Sequence, residues 1–292
     1  MNTSAPIVCL GECLWDMLPT GRQPGGAPFN VALYLRQLGQ PVQLISRVGN
    51  DELGAELLAA MACQELTSEL VQRSESHLTG VVKVNFSEGR TAYKIVEPVA
   101  WDYLQHTDQL RAAVAASRML VYGSLAARSA TTRETLYRLL QVAPFKVFDV
   151  NLRPPHYTRT VVKYLLRQAD LVKLDQQELT EIMSWLGQPA TEATALPWLA
   201  AHFQLQAVCL TKGAAGATLW HNNQLIQHFQ PVAAPTTLGS SDAFLAALLA
   251  TWPTGNAAEC LRAACAAAAL VATQAGVFPP ALTPLGIAAA LP

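Results

Sequence analysis

Short runs of apolar residues alternate with stretches of helical period along this chain, and this alternation limits its possible folds most strongly. Apolar runs predict buried strands at 7–10, 42–45, 119–122, 146–150, 171–174 and 207–210. Between several of them, helical period appears at 29–38, 53–62, 132–142, 161–169 and 178–186. Strands that alternate with helices form βαβ units, whose parallel sheet is covered by helices on both faces. The sequence therefore predicts an α/β fold with three layers, α/β/α, around a mainly parallel central sheet.

One region has the period of strands instead. Apolar and polar residues alternate at 81–86 and 91–96, and Gly89 lies in the segment between them. This pattern predicts a β-hairpin with Gly89 in its turn. In a parallel α/β fold such a hairpin is either a flap or a plain extension of the sheet edge. No repeat or flexible linker divides the sequence, so we expect a single domain over 1–292.

Composition excludes several classes of partner and location. Hydrophobic residues make up 51% of the chain and charged residues 14%, which is typical of a densely packed globular protein. The formal net charge is −1 and there is no basic run, which argues against nucleic acid and against an acidic membrane surface. The first residues lack the pattern of a signal peptide, and no apolar stretch is long enough to span a bilayer. We therefore expect a cytoplasmic protein that acts on a small molecule.

The segment 237–244 carries the clearest indication of chemistry. Gly239, Ser240 and Ser241 form a small-residue turn before Asp242, and an apolar helix follows. Such a helix start presents free backbone N–H groups and the positive end of the helix dipole, which suit an anion. Asp242 could take a proton from a hydroxyl while these groups stabilise a transferred phosphoryl group. The alternative is that a serine caps a buried helix and Asp242 only adds charge to its first turn.

Two segments near the start of the chain could contact a sugar. Asp16 follows the first predicted strand, where open α/β sheets place ligands, and a carboxylate there can accept hydrogen bonds from two hydroxyls. Gly25 and Gly26 precede a helix with Asn30 in its first turn. Glycines let the backbone approach a ligand, and asparagine offers both a donor and an acceptor. A solvated loop charge and an ordinary turn are the alternatives.

Charged side chains follow two later strands. Arg153 could bind a phosphate or hydroxyl bidentately, unless it pairs with Asp149. Asp175 and Glu178 lie three residues apart on one face of a helix start. They could hold a hydrated Mg²⁺ beside phosphates, or they could simply offset the helix dipole.

Two further turns complete the set of motifs. Thr211, Gly213 and Gly216 form a glycine-containing turn whose spacing and strand-loop-strand setting exclude a Walker A loop. At 48–54, Asn50 or Asp51 is expected to cap a helix, which is mainly a structural role.

The order of these motifs resembles the ribokinase-like (pfkB-type) carbohydrate kinases. The shared motifs are Gly-Gly-Ala-Pro-x-Asn-Val-Ala at 25–32, Val-Gly-Asn-Asp-x-Leu-Gly at 48–54, Asp-x-Asn-x-Arg at 149–153, Lys-x-Asp-x-x-Glu at 173–178, Thr-x-Gly-x-x-Gly at 211–216 and Gly-Ser-Ser-Asp-Ala-Phe at 239–244. The segments 11–19, 79–80, 99–102 and 151–155 narrow the resemblance to the bacterial fructokinase branch. It covers nearly the whole chain, and its joint specificity is high although each motif alone is weak.

The resemblance implies a ribokinase-like fold and an ATP-dependent sugar kinase, most simply one that converts D-fructose to fructose 6-phosphate with Mg²⁺. It implies that Asp242 is the general base and that the anion hole is formed by Gly239, Ser240 and Ser241. The implied sugar contacts are Asp16, Gly25, Gly26, Asn30 and Arg153. The implied nucleotide contacts are Lys173, Asp175, Thr211, Gly213 and Gly216, with Asp175 and Glu178 organising Mg²⁺. Segments of about 13–27 and 78–99 would form a β lid, which in this family often also mediates dimerisation.

Three positions depart from the pattern of the family. Ser241 stands where glycine is usual, and if that position needs a positive φ, serine costs about 1 kcal/mol. Thr236 replaces an Asp that in some members helps to bind a monovalent cation, which weakens the expectation of potassium activation. Asp175 replaces an asparagine. These departures leave a rival function, a catalytically impaired sugar-binding or regulatory protein, beside kinases for ribose, nucleosides or sugar acids.

Overall fold

A computed structural model describes residues 4–19, 21–87, 90–229, 239–252, 256–274 and 281–290. The strands are β1 (Ile7–Leu10), β2 (Leu14–Leu18), β3 (Gly21–Gly25), β4 (Val42–Gly49), β5 (Val71–Ser74), β6 (Gly80–Ser87), β7 (Arg90–Ile95), β8 (Met119–Gly123), β9 (Lys146–Asp149), β10 (Leu171–Asp175), β11 (Ala207–Thr211), β12 (Ala217–His221) and β13 (Gln224–His228). The helices are α1 (Ala27–Gln37), α2 (Glu52–Cys63), α3 (Asp108–Ala116), α4 (Ala130–Leu140), α5 (Arg159–Gln168), α6 (Gln176–Trp185), α7 (Glu192–Phe203), α8 (Ser240–Thr251), α9 (Ala257–Ala272) and α10 (Pro284–Ala290).

The large sheet has the strand order β13-β12-β11-β10-β9-β8-β1-β4-β5. Neighbours from β11 to β5 run parallel, whereas β12 and β13 pair antiparallel at one edge. The parallel strands end at the same edge of the sheet, which open α/β sheets use for ligands. Gly11, Asp149, Asp175 and Thr211 lie at or just beyond the ends of their strands there.

Helices cover both faces of the large sheet. Along β1, Ile7 and Cys9 face one apolar core while Val8 and Leu10 face another. Helices α1, α2, α8, α9 and α10 contribute to the first core, and α3 to α7 contribute to the second. The predicted three-layer α/β fold with a mainly parallel central sheet is therefore confirmed.

A second, smaller sheet has the order β3-β2-β6-β7. Strand β2 pairs antiparallel with β3 and parallel with β6, and β6 and β7 form the predicted hairpin. Because these strands pair with one another and not with the large sheet, the hairpin is no extension of the large sheet's edge. The predicted turn residue Gly89 lies outside the described residues.

Polar contacts join the small sheet to the rest of the fold. The indole Nε1 of Trp15, in β2, donates to the carbonyl of Leu53 at 2.9 Å. Beyond β7, the guanidinium of Arg128 donates to the carbonyl of Val96 at 2.9 Å and forms two 2.7 Å bonds with the Asp102 carboxylate. These bonds join β2 to α2, and the segment after β7 to Arg128.

None of the helices in the described part of the chain has the length and hydropathy that a bilayer crossing requires.

Candidate active site

Helix α8 begins at Ser240, and the position before it, Gly239, has a backbone conformation that favours glycine. Gly239 has a φ of 86°, in the left-handed region that side chains disfavour. A Cβ there would also lie 2.8 Å from the hydroxyl oxygen of Tyr34. Gly239 has no side chain to cap the helix, so its first turn has the open N-terminal form that suits an anion.

Asp242 lies in the first turn of α8 and is 9% exposed. The Nδ2 of Asn30, in α1, donates to its Oδ2 at 2.8 Å. Burial raises the pKa of Asp242 to about 6; the Asn30 hydrogen bond opposes this, and the charge of Asp149 adds to it. A carboxyl with this pKa is mostly ionised at pH 7 and is still basic enough to take up a proton during a reaction.

Ser241 does not have the strained backbone that its replacement of glycine suggested. It lies in the first turn of α8, is exposed, and is not among the described residues with positive φ. The condition for strain at Ser241 is therefore not met, and the left-handed position is two residues earlier, at Gly239. Thr236, the other departure in this segment, lies outside the described residues.

Asp16 and the glycine pair are neighbours in space. Asp16 lies in β2 and Gly25 ends β3, and a Cβ on Gly25 would overlap the Oδ2 of Asp16. Asp16 is 6% exposed, and burial raises its pKa to about 7; the charge of Asp242 adds to this while Arg153 opposes it. The structure thus brings Asp16 within electrostatic reach of Asp242 and of Arg153.

Glu12 is a buried carboxylate beside this group that the sequence analysis did not select. It is 3% exposed and follows β1, and its Oε1 accepts a hydrogen bond from the backbone N–H of Ala27 at 3.2 Å. Burial raises the pKa of Glu12 to about 7, and its charge interacts with those of Asp242 and Arg153. The sequence signal that could have identified Glu12 is an acidic residue two positions after a buried strand.

The strand ends β9 and β10 contribute a buried ion pair. The Nζ of Lys173 lies 2.8 Å from Oδ1 of Asp149, and both side chains are about 5% exposed. Burial disfavours the charged lysine, but the pairing with Asp149 raises its pKa above the usual value. Asp149 thus binds Lys173, and the Nη1 of Arg153 donates to the carbonyl of Leu152 at 3.1 Å.

Asp175 and Glu178 form a capping box at the start of α6. Oδ1 of Asp175 accepts from the N–H of Glu178 at 2.8 Å, and Oε2 of Glu178 accepts from the N–H of Asp175 at 2.9 Å. Oε1 of Glu178 accepts from the N–H of Leu152 at 2.7 Å. Burial raises the pKa of Glu178 to about 7, and Asp175 adds to this rise. Glu178 is therefore engaged with both oxygens, while Asp175 is exposed.

The glycine turn after β11 has the conformation that its sequence suggests. Gly213 and Gly216 have φ values of 57° and 81°, so both use backbone that favours glycine. Thr211 lies at the end of β11, and within the turn the Nζ of Lys212 lies 3.2 Å from the carboxylate of Glu192. The turn is thus tied to the start of α7.

The layered α/β fold is the ribokinase-like fold. The profile described as pfkB family carbohydrate kinase matches residues 19–284. A fructokinase of Klebsiella pneumoniae is 31% identical over 262 residues, which cover 84% of this chain and 83% of that protein. A fructokinase of Escherichia coli is 29% identical over 84% of both chains. The Xylella fastidiosa fructokinase structure with bound ATP has a TM-score of 0.87 at 23% identity and covers 98% of each chain.

The chain therefore belongs to the pfkB family of carbohydrate kinases, and it is a sugar kinase. The family resemblance and the kinase class predicted from the motifs are confirmed. The roles of the individual residues and the identity of the sugar stay predictions.

Proposed function

We propose that the chain transfers the γ-phosphoryl group of ATP to a sugar hydroxyl, with D-fructose as acceptor and fructose 6-phosphate as product. The observation that carries this proposal is the buried Asp242, which Asn30 holds at the uncapped start of α8. The fructokinases of K. pneumoniae and E. coli support the choice of fructose, since they align with most of the chain. A Vibrio cholerae fructokinase structure with fructose and ADP, at TM-score 0.86 and 22% identity, shares the fold.

In this reaction Asp242 acts as the general base. The acceptor hydroxyl gives its proton to the Asp242 carboxylate while its oxygen forms a bond to the γ-phosphorus. The bond between the γ-phosphorus and the bridging oxygen breaks, and ADP leaves. The backbone N–H groups after Gly239, in the turn with Ser240 and Ser241, stabilise charge on the phosphoryl group.

The sugar is held between the small sheet and α1 in this proposal. The carboxylate of Asp16 and the amide of Asn30 present fixed hydrogen-bonding groups, and the glycine pair 25–26 lets the sugar approach the backbone. Arg153 supplies positive charge to the same region, consistent with its effect on the pKa of Asp16. A lost sugar hydroxyl would leave buried polar groups unpaired, which is the basis of selectivity.

The nucleotide end of the site uses the turn after β11 and the ends of β10 and α6. Thr211, Gly213 and Gly216 bring backbone close to the nucleotide. Lys173 contributes positive charge from within its ion pair with Asp149.

Mg²⁺ fits the carboxylates of this end only with phosphates and water as its other ligands. No cluster of three or more His, Cys, Asp or Glu suited to a metal occurs in the described segments. Mg²⁺ commonly binds through one or two carboxylates, waters and substrate phosphates. Asp175 is exposed and can make such a contact, whereas Glu178, whose oxygens accept backbone N–H groups, orients Asp175. When bound, the ion neutralises charge on the phosphates.

We also propose that the chain is one kinase domain over 1–292, that segments 13–27 and 78–99 act as its lid, that it works in the cytoplasm, and that it dimerises through the lid. The separate small sheet supports the lid. Sedimentation of the wild-type protein and of a variant with a charged substitution on the small sheet tests the dimer.

An ADP-release assay across a sugar panel tests the proposed function. The panel contains fructose, ribose, aminoimidazole riboside, nucleosides and a sugar acid, because a kinase of this fold from Salmonella enterica was crystallised with aminoimidazole riboside. We expect the highest kcat/KM with fructose, and product analysis should identify the 6-phosphate. Preferred turnover of another sugar would reassign the acceptor. Sugar binding without ADP release would favour the regulatory function instead.

A further inference from the structure

Helix α1 begins without a cap of its own. The residue before it, Gly26, has no side chain, and the first turn of α1 contains no acidic residue. The carboxylate of Glu12 comes from the loop after β1 and accepts a hydrogen bond from the N–H of Ala27 at 3.2 Å. Glu12 therefore accepts a hydrogen bond from a free N–H group of the first turn, as an N-cap side chain usually does, although it is 15 residues away in the chain.

A buried glutamate is a costly way to cap a helix. Burial of a carboxylate is unfavourable unless the group is fully paired, and Ser, Thr or Asn would serve as a cap without that cost. Oε2 of Glu12 is buried and accepts no hydrogen bond from the part of the chain that the structure describes. Buried groups that break the usual rules of packing occur at functional sites.

The helix that Glu12 caps carries the partner of Asp242. The N–H of Asn30 donates to the carbonyl of Gly26 at 2.9 Å, which is the first bond of the helix. One turn into α1, the side chain of Asn30 reaches Oδ2 of Asp242 at 2.8 Å. Gly26 also packs against Glu12, since a Cβ there would lie 3.2 Å from Cγ of Glu12. A shift of Glu12 would thus move the turn from which Asn30 extends.

We infer that Glu12 is a positioning residue for phosphoryl transfer: it fixes the first turn of α1 so that Asn30 holds Asp242. This inference rests on the proposed role of Asp242 as base. Glu12 touches neither Asn30 nor Asp242 through a hydrogen bond, so its effect passes through the backbone of α1.

Variants of Glu12 and one matched control test the inference. Glu12→Gln keeps a side-chain oxygen for the N–H of Ala27, and Glu12→Ala removes it. Thr107→Ala is the control, because Thr107 caps α3 through the N–H of Leu110 at 3.2 Å and α3 carries no candidate site residue. We expect Glu12→Ala to lower kcat by about tenfold or more with the KM for ATP within about twofold, and Glu12→Gln to stay within about threefold.

Amide hydrogen exchange reports on the cap without turnover. Glu12→Ala should speed exchange in the first turn of α1 while Glu12→Gln does not, and Thr107→Ala should speed exchange only in α3. In an Asn30→Ala background, Glu12→Ala should lower kcat by less than about threefold further, because the two residues act in series.

Two results would overturn the inference. One is unchanged exchange in α1 of Glu12→Ala, which would show that Glu12 does not hold the helix start. The other is an equal loss of kcat from Glu12→Ala with and without Asn30. If the wild type phosphorylates no sugar, the proposed function fails, whereas the exchange experiment still decides whether Glu12 fixes the first turn of α1.

Discussion

Two aspartates at helix starts have opposite surroundings in this fold. Asp51 precedes α2 and Asp242 lies in the first turn of α8. The carboxylate of Asp51 accepts from the N–H of Gly54 and from the N–H and hydroxyl of Thr79, at 2.6 to 2.8 Å. Asp242 accepts one such bond from a side chain, that of Asn30, although it is more deeply buried.

The pKa values of the two groups follow from these surroundings. Burial alone would raise the pKa of Asp51, but the hydrogen bonds from Thr79 and Gly54 hold it below its usual value. Burial raises the pKa of Asp242 to about 6. A carboxylate whose lone pairs are already satisfied can only be structural, while a buried one with few donors can accept a proton. The same residue type at two helix starts thus has pKa shifts of opposite direction.

The strongest test of this contrast makes the same substitution at both sites. Asp242→Asn should lower kcat by about 10²–10⁴-fold, because the amide cannot accept the proton. Asp51→Asn should leave kcat within about threefold. Steady-state ADP release measures both. A kcat for Asp242→Asn within about tenfold of wild type would show that Asp242 is not the base.

The stability of Asp242→Asn should depend on pH. The folded pKa of about 6 lies above the usual value of 3.8, so the protonated form stabilises the fold at low pH. That contribution is lost as pH rises through about 6. The Tm of Asp242→Asn relative to wild type should therefore increase between pH 4 and pH 8. A pH-independent difference in Tm would contradict the raised pKa.

Asp16 is a second buried carboxylate with a raised pKa, and it tests the proposed sugar contacts. Its pKa is raised as that of Asp242 is, so Asp16→Ala should lower kcat/KM for the sugar by about 10²-fold, because sugar hydroxyls lose a buried partner. The KM for ATP should change by less than about threefold. Kinetics with each substrate varied in turn measure this split, and equal effects on both substrates would place Asp16 outside the sugar site.

Asp51→Asn should lower the stability of the fold although it leaves kcat nearly unchanged. The NH₂ group of the new asparagine would replace one carboxylate oxygen and would lie against an N–H group of Gly54 or Thr79, so one hydrogen bond would be lost. We expect a loss of roughly 1–2 kcal/mol in the free energy of unfolding. Urea denaturation measures this loss. The Asp242 variant at pH 7 serves as the control, since it should lose none. Undiminished stability of Asp51→Asn would remove the structural half of the comparison.

The smallest effect is expected at Ser241. This residue has helical backbone and is exposed, so glycine relieves no strain there and adds flexibility to the first turn. We expect Ser241→Gly to lose about 0.5–1 kcal/mol of stability and to keep kcat within about threefold. A clear gain in kcat would revive the idea of strain at this position.

Six strands of the large sheet (β1, β4, β8, β9, β10 and β11) were predictable because buried parallel strands are continuous apolar runs, whereas β5, β12 and β13 were not predicted. The prediction at 146–150 differs from β9 (Lys146–Asp149) by one residue, and the prediction at 7–10 agrees with β1. Strand β3 (Gly21–Gly25) had no such signal, since it contains two glycines and a proline. It exists because β2 pairs with it, and sequence period does not report that pairing.

In the candidate site, the sequence predicted which residues take part more readily than which residues contact one another. Glu12 was passed over because its partner Ala27 is 15 residues away. The pairing of Lys173 with Asp149 follows from the register of two neighbouring parallel strands, in which these residues are directly opposite. The spacing of motifs predicts neither the Glu12–Ala27 hydrogen bond nor the Lys173–Asp149 ion pair, because both depend on how distant segments pack.

The carboxylate of Glu178 links two parts of the site that are far apart in the chain. One oxygen binds the backbone of Leu152, beside Arg153, and the other binds the backbone of Asp175. A single side chain therefore fixes the spacing between the loop at Leu152 and the start of α6, which the proposed function assigns to the sugar and to the nucleotide. Glu178 acts as a spacer between these two segments, so a motion of one that keeps both hydrogen bonds carries the other with it.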